Sequence, residues 1–263
     1  MREYERCKLM LINFHTHTWR CHHAEGTERE YVEQAIRNGM AILGFSDHAP
    51  YPYPEGYVAW NKMLPSELEG YVDTVLDLRR EYRGQIDIRL GLEAEYYPAL
   101  WEDFLRMLEP YPIEYLLLGQ HFLDNEYEDP VYNGEPTDSA DRLRRYCAQT
   151  IEGLKTGKFM YLAHPDLIHF TGDRTLYEEE MTGLCRFCRR NDIPIEVNLL
   201  GVRDARHYPD GQFWRIAARE GNRVLLGADA HRAGDVCRPD ADEKAFRFME
   251  RCGIPGDRIV EIP

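Results

Sequence analysis

A rhythm along the chain restricts its fold more than any single motif. Short apolar runs lie at 8–15, 41–48, 86–95, 115–122, 159–165, 194–200 and 223–231, with a short last one at 258–262. Longer amphipathic stretches separate them. The stretch 27–39 opens on Thr27 with Glu30 in the capping-box position and closes on Gly39. The stretch 66–84 has Ser66 as its expected cap and ends on Gly84, and 139–157, 175–191 and 210–221 follow the same habit. Strands alternating with helices predict a parallel sheet covered by helices. Runs this apolar suit strands buried on both faces. Seven or eight such units in 263 residues favour a closed barrel over an open sheet. No repeat, low-complexity segment or flexible linker divides the chain, so a single α/β domain over 1–263 is expected.

The ten histidines are not scattered over this frame. His15 and His17 close the first run, and His48, after Asp47, closes the second. Glu93 lies near the end of the third, His121 ends the fourth and His164 the fifth. Asp229 and His231 end the seventh, and His23 sits in the loop just past the first. Only His22, His169 and His207 stand outside this set, and of the neighbours His22 and His23 only one is expected to point inward. The C-terminal edge of a parallel barrel is where active sites are built. Imidazole and carboxylate are the ligands that borderline divalent metals prefer. His15 and His17 are two apart, so both project from one face of a strand, and Asp229 and His231 repeat that spacing. One strand-end histidine alone is more often a capping or core residue than a ligand. Seven of them with two carboxylates share no bland cause, and they exceed what one ion can use.

Charge and cysteine usage narrow the partners. With 32 basic and 46 acidic residues the net charge is −14, which repels polyanions and argues against a nucleic-acid footprint. A small anion held by a few local arginines remains compatible. No apolar segment approaches the roughly 20 residues that span a bilayer. The opening MREYERCKLM lacks the shape of a signal peptide, so a cytoplasmic protein without membrane attachment is expected. Seven scattered cysteines fit a reducing compartment. Cys185 and Cys188 form a CxxC inside a polar helical stretch with no second CxxC, and they read as two small residues near one helix face.

Taken together, HTHT with a histidine eight residues after the first one, SDHA, the Glu of GLEAE, the His of LGQHF, AHPD and GADAH resemble the PHP (polymerase and histidinol phosphatase) family. The resemblance runs from residue 13 to about 231. Within the family the chain is most similar to the stand-alone histidinol-phosphate phosphatases, through SDHAPYPYP, HFLD and EVNLLGVRDARHYP. It implies a distorted (β/α)7 barrel, TIM-barrel-like, with three divalent metal ions. His15, His17, Glu93 and Asp229 would take the first ion. Glu93 as a bridge, His121 and His164 would take the second, and His23, His48 and His231 the third. Zinc, iron, manganese or cobalt would suit these donors. Two positions depart from the family pattern. Leu199 and Leu200 stand where small hydroxyl residues are usual, and Gln120 precedes His121. Both bear on the substrate rather than on the metals.

A cluster of divalent ions suits phosphoester hydrolysis by a hydroxide shared between two of them. Arg203, after the sixth run, is the expected phosphate-holding cation, because its fork matches a phosphate. Arg206 and His207 are further substrate-binding candidates in the same loop, and Asp229 or His231 could protonate the leaving group. Asp47 is expected to orient a ligand histidine. The aromatic and proline-rich loop 49–60 could wall a small phosphorylated substrate or simply pack on the barrel. The expected reaction is conversion of L-histidinol phosphate to L-histidinol and phosphate. Another small phosphomonoester, a phosphotyrosine protein or a nucleic-acid 3′ end are the alternatives within the fold. A decayed, non-catalytic metal-binding domain would have lost ligands, and none of the nine positions is empty.

Overall fold

The computed structural model describes residues 11–262. Seven parallel strands hydrogen-bond in chain order: β1 (Ile12–Asn13), β2 (Ile42–Phe45), β3 (Asp87–Ala94), β4 (Tyr115–Leu118), β5 (Phe159–Leu162), β6 (Ile195–Asn198) and β7 (Val224–Gly227). The ring is closed past the strand ends rather than by a ladder. Thr16 bridges Ala230, with His17 N 3.0 Å from Ala230 O and Ala230 N 3.2 Å from His15 O. The result is the distorted seven-stranded barrel expected from the rhythm of the sequence. A two-stranded antiparallel ribbon (Phe122–Leu123 with Val131–Tyr132) stands on its upper edge.

Helices wrap the outside: α1 (Glu28–Arg37), α2 (Leu68–Glu81), α3 (Trp101–Leu108), α4 (Ala140–Lys155), α5 (Arg174–Arg190), α6 (Leu199–Asp204), α7 (Gly211–Glu220) and α8 (Pro239–Cys252). At α1 the capping box is complete: Glu30 N donates to Thr27 Oγ1 (3.4 Å) and Thr27 N to Glu30 Oε2 (2.6 Å). Ser139, Asp173 and Asp210 cap α4, α5 and α7 with their side-chain oxygens. Cys185 and Cys188 are buried on α5, and burial pushes both thiols up.

The barrel floor is filled from β4. The Tyr115 hydroxyl lies 2.9 Å from the carbonyl oxygens of both Phe14 and Phe45. Its ring occupies space that a Cβ on Gly44 or Gly91 would invade, at 2.3 and 2.4 Å. Two strands give up side chains so that a third can plug the centre.

Three local expectations are corrected. The run 194–200 stops as a strand at Asn198, whose side-chain oxygen accepts from Gly201 N (2.9 Å) and turns Leu199 and Leu200 into α6. Ser66 is not a cap. Pro65 opens a 3-10 turn in which the Glu67 carboxylate accepts from Leu64 N (2.9 Å), and α2 begins afterwards. The segment 258–262 emerges from a 3-10 turn (Gly256–Arg258) and meets β7 only at Val224, so it makes one bridge and no strand. Residues 8–10 of the first run lie outside the described residues.

Candidate metal centre

The upper ends of the strands deliver all nine expected side chains to one place. His15 and His17 follow β1 and His48 follows β2, while Glu93 is on β3 itself. His121 and His164 come just after β4 and β5, and Asp229 and His231 after β7. His23 arrives from the loop beyond a short 3-10 turn (Trp19–Cys21), where His22 adopts φ 65° and is exposed. Two of the nine are held in left-handed backbone, His164 at φ 26° and Asp229 at φ 46°. Such conformations cost non-glycine residues roughly 1–3 kcal/mol and collect at functional sites.

Glu93 is the hub. Its Oε1 lies 2.7 Å from His164 Nε2 and 3.7 Å from His121 Nε2. Its Oε2 lies 3.1 Å from His48 Nδ1 and 3.6 Å from both His15 Nε2 and His17 Nε2. The carboxylate needs the bare backbone of Gly119, where a Cβ would sit 2.0 Å from Oε1. Asp229 Oδ1 faces His17 Nε2 (3.1 Å), His231 Nδ1 (3.3 Å) and His15 Nε2 (3.7 Å).

Hydrogen bonds fix which imidazole nitrogen carries the proton. His15 Nδ1 donates to Glu196 Oε2 (2.8 Å) and His121 Nδ1 to Glu95 Oε1 (3.0 Å). His23 Nδ1 donates to the Cys21 carbonyl (2.7 Å) and His231 Nδ1 to the Asp229 carbonyl (3.1 Å). Carboxylates and carbonyls only accept, so each ring keeps a proton on Nδ1 and turns Nε2 toward the site, as a lone pair in the neutral rings of His23 and His231. The Nε2 atoms of His23 and His231 then face each other at 2.9 Å, lone pair against lone pair. His15 Nε2, His17 Nε2, His48 Nδ1, Glu93 Oε2 and Asp229 Oδ1 are buried with no hydrogen-bond partner. Opposed lone pairs, and buried polar atoms left without a hydrogen-bond partner, are what a bound cation relieves. Four trios drawn from the nine bring their donor atoms within 4.8 Å of one another: His15, His17 and Glu93; His48, Glu93 and His121; His15, His164 and Asp229; His23, His48 and His231. The residues fit divalent metal ions.

The electrostatics agree. Burial pushes the Glu93 and Asp229 carboxyls up, but surrounding histidines reverse this and hold both well below the usual carboxylate range. Burial lowers His17, yet Asp229 and Asp47 outweigh it and raise the imidazole to about 9. His48 and His231 are pushed well down, first by burial and then by the positive charge of His17. The carboxylates are thus ionised, and the cluster attracts positive charge.

Four partners stand behind the nine. Asp47 lies 3.5 Å from His17 Nδ1 and receives the Thr18 hydroxyl. The other three, Glu196, Asn198 and Glu95, are not apparent from the sequence. Glu196 orients His15, and Asn198 donates to both Glu196 Oε1 (2.8 Å) and Asp229 Oδ2 (3.0 Å). The sequence signal for Glu196 is a charge set between the apolar Ile195 and Val197 in a fully buried strand.

Above the cluster opens a cavity of about 830 Å³, lined by Trp60, Tyr132, Leu200, Arg203, Arg206 and Tyr208 among others. Arg203, on α6, pairs with Asp204 (3.3 Å) and Asp235 (3.5 Å) and leaves a buried Nη1 without a partner. Arg206 Nη1 donates to the Tyr208 hydroxyl (3.0 Å). His207 is not brought to this cavity: it bonds the Leu167 carbonyl (2.7 Å) and stacks on His169 at 4.2 Å. Gln120 is spent on the backbone of Tyr96 and Phe122, whereas Leu200 does face the cavity.

A parallel barrel carrying a histidine and carboxylate cluster at its C-terminal mouth defines a metal-dependent hydrolase. The PHP domain matches residues 13–199, and the chain belongs to the PHP family. It is an enzyme of that family, a phosphatase. It is 30% identical over 245 residues to a probable histidinol-phosphatase of Deinococcus radiodurans, covering 91% of this chain and 90% of that one. It is 26% identical to the histidinol-phosphatase of Bacillus subtilis, covering 90% and 98%. Among solved structures, the histidinol phosphate phosphatase of Lactococcus lactis, complexed with zinc, L-histidinol and phosphate, superposes with a TM-score of 0.72 at 18% identity, covering 94% of this chain and 95% of that one. No helix among the described residues is long and apolar enough to cross a membrane.

Proposed function

We propose that the chain hydrolyses L-histidinol phosphate to L-histidinol and phosphate, using three divalent ions held by the nine clustered side chains. The observation that carries this reading is the set of inward lone pairs, above all His23 and His231 opposed at 2.9 Å. The substrate is supported by the names of the two relatives that cover nine-tenths of the chain. In the assignment we favour, His15, His17, Glu93 and Asp229 hold one ion. Glu93, His121 and His164 hold the second, and His23, His48 and His231 the third. Zinc, present in the Lactococcus lactis structure, suits so imidazole-rich a donor set.

When bound, such ions make a nucleophile of water at neutral pH and polarise the phosphoryl oxygens. The protein's own groups do the rest. Arg203 lines the cavity, and its guanidinium fork suits a phosphoryl oxygen. Arg206 adds a second cation beside Tyr208. His207 braces the loop at Leu167 instead of touching phosphate. Asp229 and His231 both have pKa values displaced downward, which suits ligands better than acids at neutral pH.

The test is phosphate release from L-histidinol phosphate, p-nitrophenyl phosphate and phosphotyrosine by the zinc-loaded protein and its Arg203→Ala variant. We expect kcat/KM for L-histidinol phosphate to lead the others by more than about 100-fold, and the variant to lose about 10²–10³-fold, as when one preorganised charge donor is removed. Equal, slow turnover of all three by both proteins would overturn the substrate assignment.

A further inference from the structure

One fully buried charge takes no part in the chemistry above. Lys62 has no exposed surface, and its ammonium lies 2.5 Å from Glu95 Oε1 and 3.5 Å from Glu126 Oε2. Taking a lysine out of water is costly even when it is paired, so its retention asks for a role. The oxygen it holds is shared: Glu95 Oε1 is also the acceptor for His121 Nδ1, at 3.0 Å. The other oxygen, Oε2, is buried and makes no hydrogen bond. Lys62 and His121 are therefore the two groups that pin this carboxylate, and His121 presents its opposite nitrogen toward Glu93 Oε1 at 3.7 Å.

The backbone carrying Lys62 is fastened to the same place. The Tyr51 hydroxyl donates to the Glu95 carbonyl (2.6 Å) and the Tyr57 hydroxyl to the Glu126 carbonyl (2.8 Å). The Tyr53 hydroxyl meets the Glu126 carboxylate, and Met63 N reaches the carbonyl of His48 (3.4 Å). The loop 51–63 thus ends on an ammonium aimed at the support of one histidine and on a backbone bond to another.

We propose that Lys62 is a positioning residue for the metal centre: by anchoring the Glu95 carboxylate, it keeps the His121 proton on Nδ1 and the Nε2 lone pair directed at the metal position beside Glu93. The proposal rests on His121 being a ligand. A merely structural lysine would stabilise the loop and leave the histidine indifferent. Without the ammonium that Glu95 and Glu126 share, repulsion between the two carboxylates drives Glu95 away, and the His121 ring loses the acceptor that fixes its tautomer and rotation. Partners behind a metal ligand typically carry about 10–100-fold in metal affinity.

The test uses the full chain, with zinc as the probe, competed against a chromophoric chelator. Lys62→Met, Glu95→Gln and the double variant are each expected to weaken the most labile zinc about 10–100-fold, with the double no worse than either single. In histidine-selective 15N spectra of the metal-free protein, His121 should lose its Nδ1–H signature in Lys62→Met and keep it in the wild type. Wild-type zinc affinity together with an unchanged His121 signal in folded Lys62→Met would overturn the proposal. If that variant does not fold, Glu95→Gln is judged by the same two readouts. His121→Ala separates the two levels. If it binds zinc as tightly as wild type, the ligand reading falls and takes this proposal with it. If it loses zinc while Lys62→Met does not, only the proposal falls.

Discussion

Glu196 shows how much a single acid can do without being one of the nine clustered side chains. It is wholly buried on β6, it turns His15 by accepting from Nδ1, and it is itself held by Asn198. The bare backbone of Gly227 makes room for it, since a Cβ there would come within 2.1 Å of Oε2. Glu196→Gln is expected to weaken zinc binding about 10–100-fold while leaving the fold intact. Competition against a chelator, alongside a circular-dichroism melt, reads both. Unchanged affinity would show that the His15 ring is held by its packing alone. The nine clustered residues are legible in the sequence because seven histidines and two carboxylates gathered near strand ends share no bland cause, although any one of them alone would. The residues behind them are not. Glu95 repeats the two-residue spacing of His15 and His17 after Glu93, yet an acid at a strand end reads equally well as a solvated turn. Only the packed barrel shows that Glu95 and Glu196 face inward.

At the scale of elements, the contrast between two glycines tests the packing account. Gly91 on β3 faces the Tyr115 ring, and its replacement by alanine places a Cβ 2.4 Å from that ring. Overpacking of this kind typically costs about 1–3 kcal/mol. Gly183 lies within α5, where an added methyl group would meet nothing within 4 Å, so Gly183→Ala should stabilise by roughly 0.5–1 kcal/mol. Urea titrations of both variants should move in opposite directions, and a shift of the same sign would refute the account of the barrel floor. The same scale explains what periodicity can and cannot show. Caps that use side chains (Thr27, Ser139, Asp210) are visible as residue types, and the helices they open can be placed from the sequence. Helices α3 and α8 start without a side-chain cap, and neither announces itself in this way. Asn198 ends β6 by capping α6, a choice between strand and helix that the apolar pair Leu199 and Leu200 does not advertise.

For the whole molecule, the cluster makes stability depend on pH and on metal. In the metal-free protein the His17 imidazole titrates at about 9, against an ordinary value of 6.5. A group raised on folding contributes its full stabilisation below its unfolded pKa and loses it as the pH climbs through the folded one. The unfolding temperature of the metal-stripped protein should therefore fall between about pH 6.5 and 9. An ion that takes the proton's place removes this dependence, so the zinc-loaded protein should show a flatter profile over the same range. Scanning fluorimetry on both forms gives the comparison, and a flat or rising profile for the stripped protein would contradict it.

The seam of the barrel has a consequence for how the chain is made. Its closing contacts join residues from opposite ends of the described sequence: His23 meets His231, 208 positions later, and Ala228 N reaches Asn13, 215 positions earlier. During synthesis the first half of the metal pocket leaves the ribosome long before its counterpart exists, and contacts of such long sequence separation form late and slowly. For that interval His15 and His17 belong to a growing chain whose β1 lacks its neighbour across the seam. The complete constellation comes into being only once β7 has been translated, so its nine side chains can converge only at the end of synthesis.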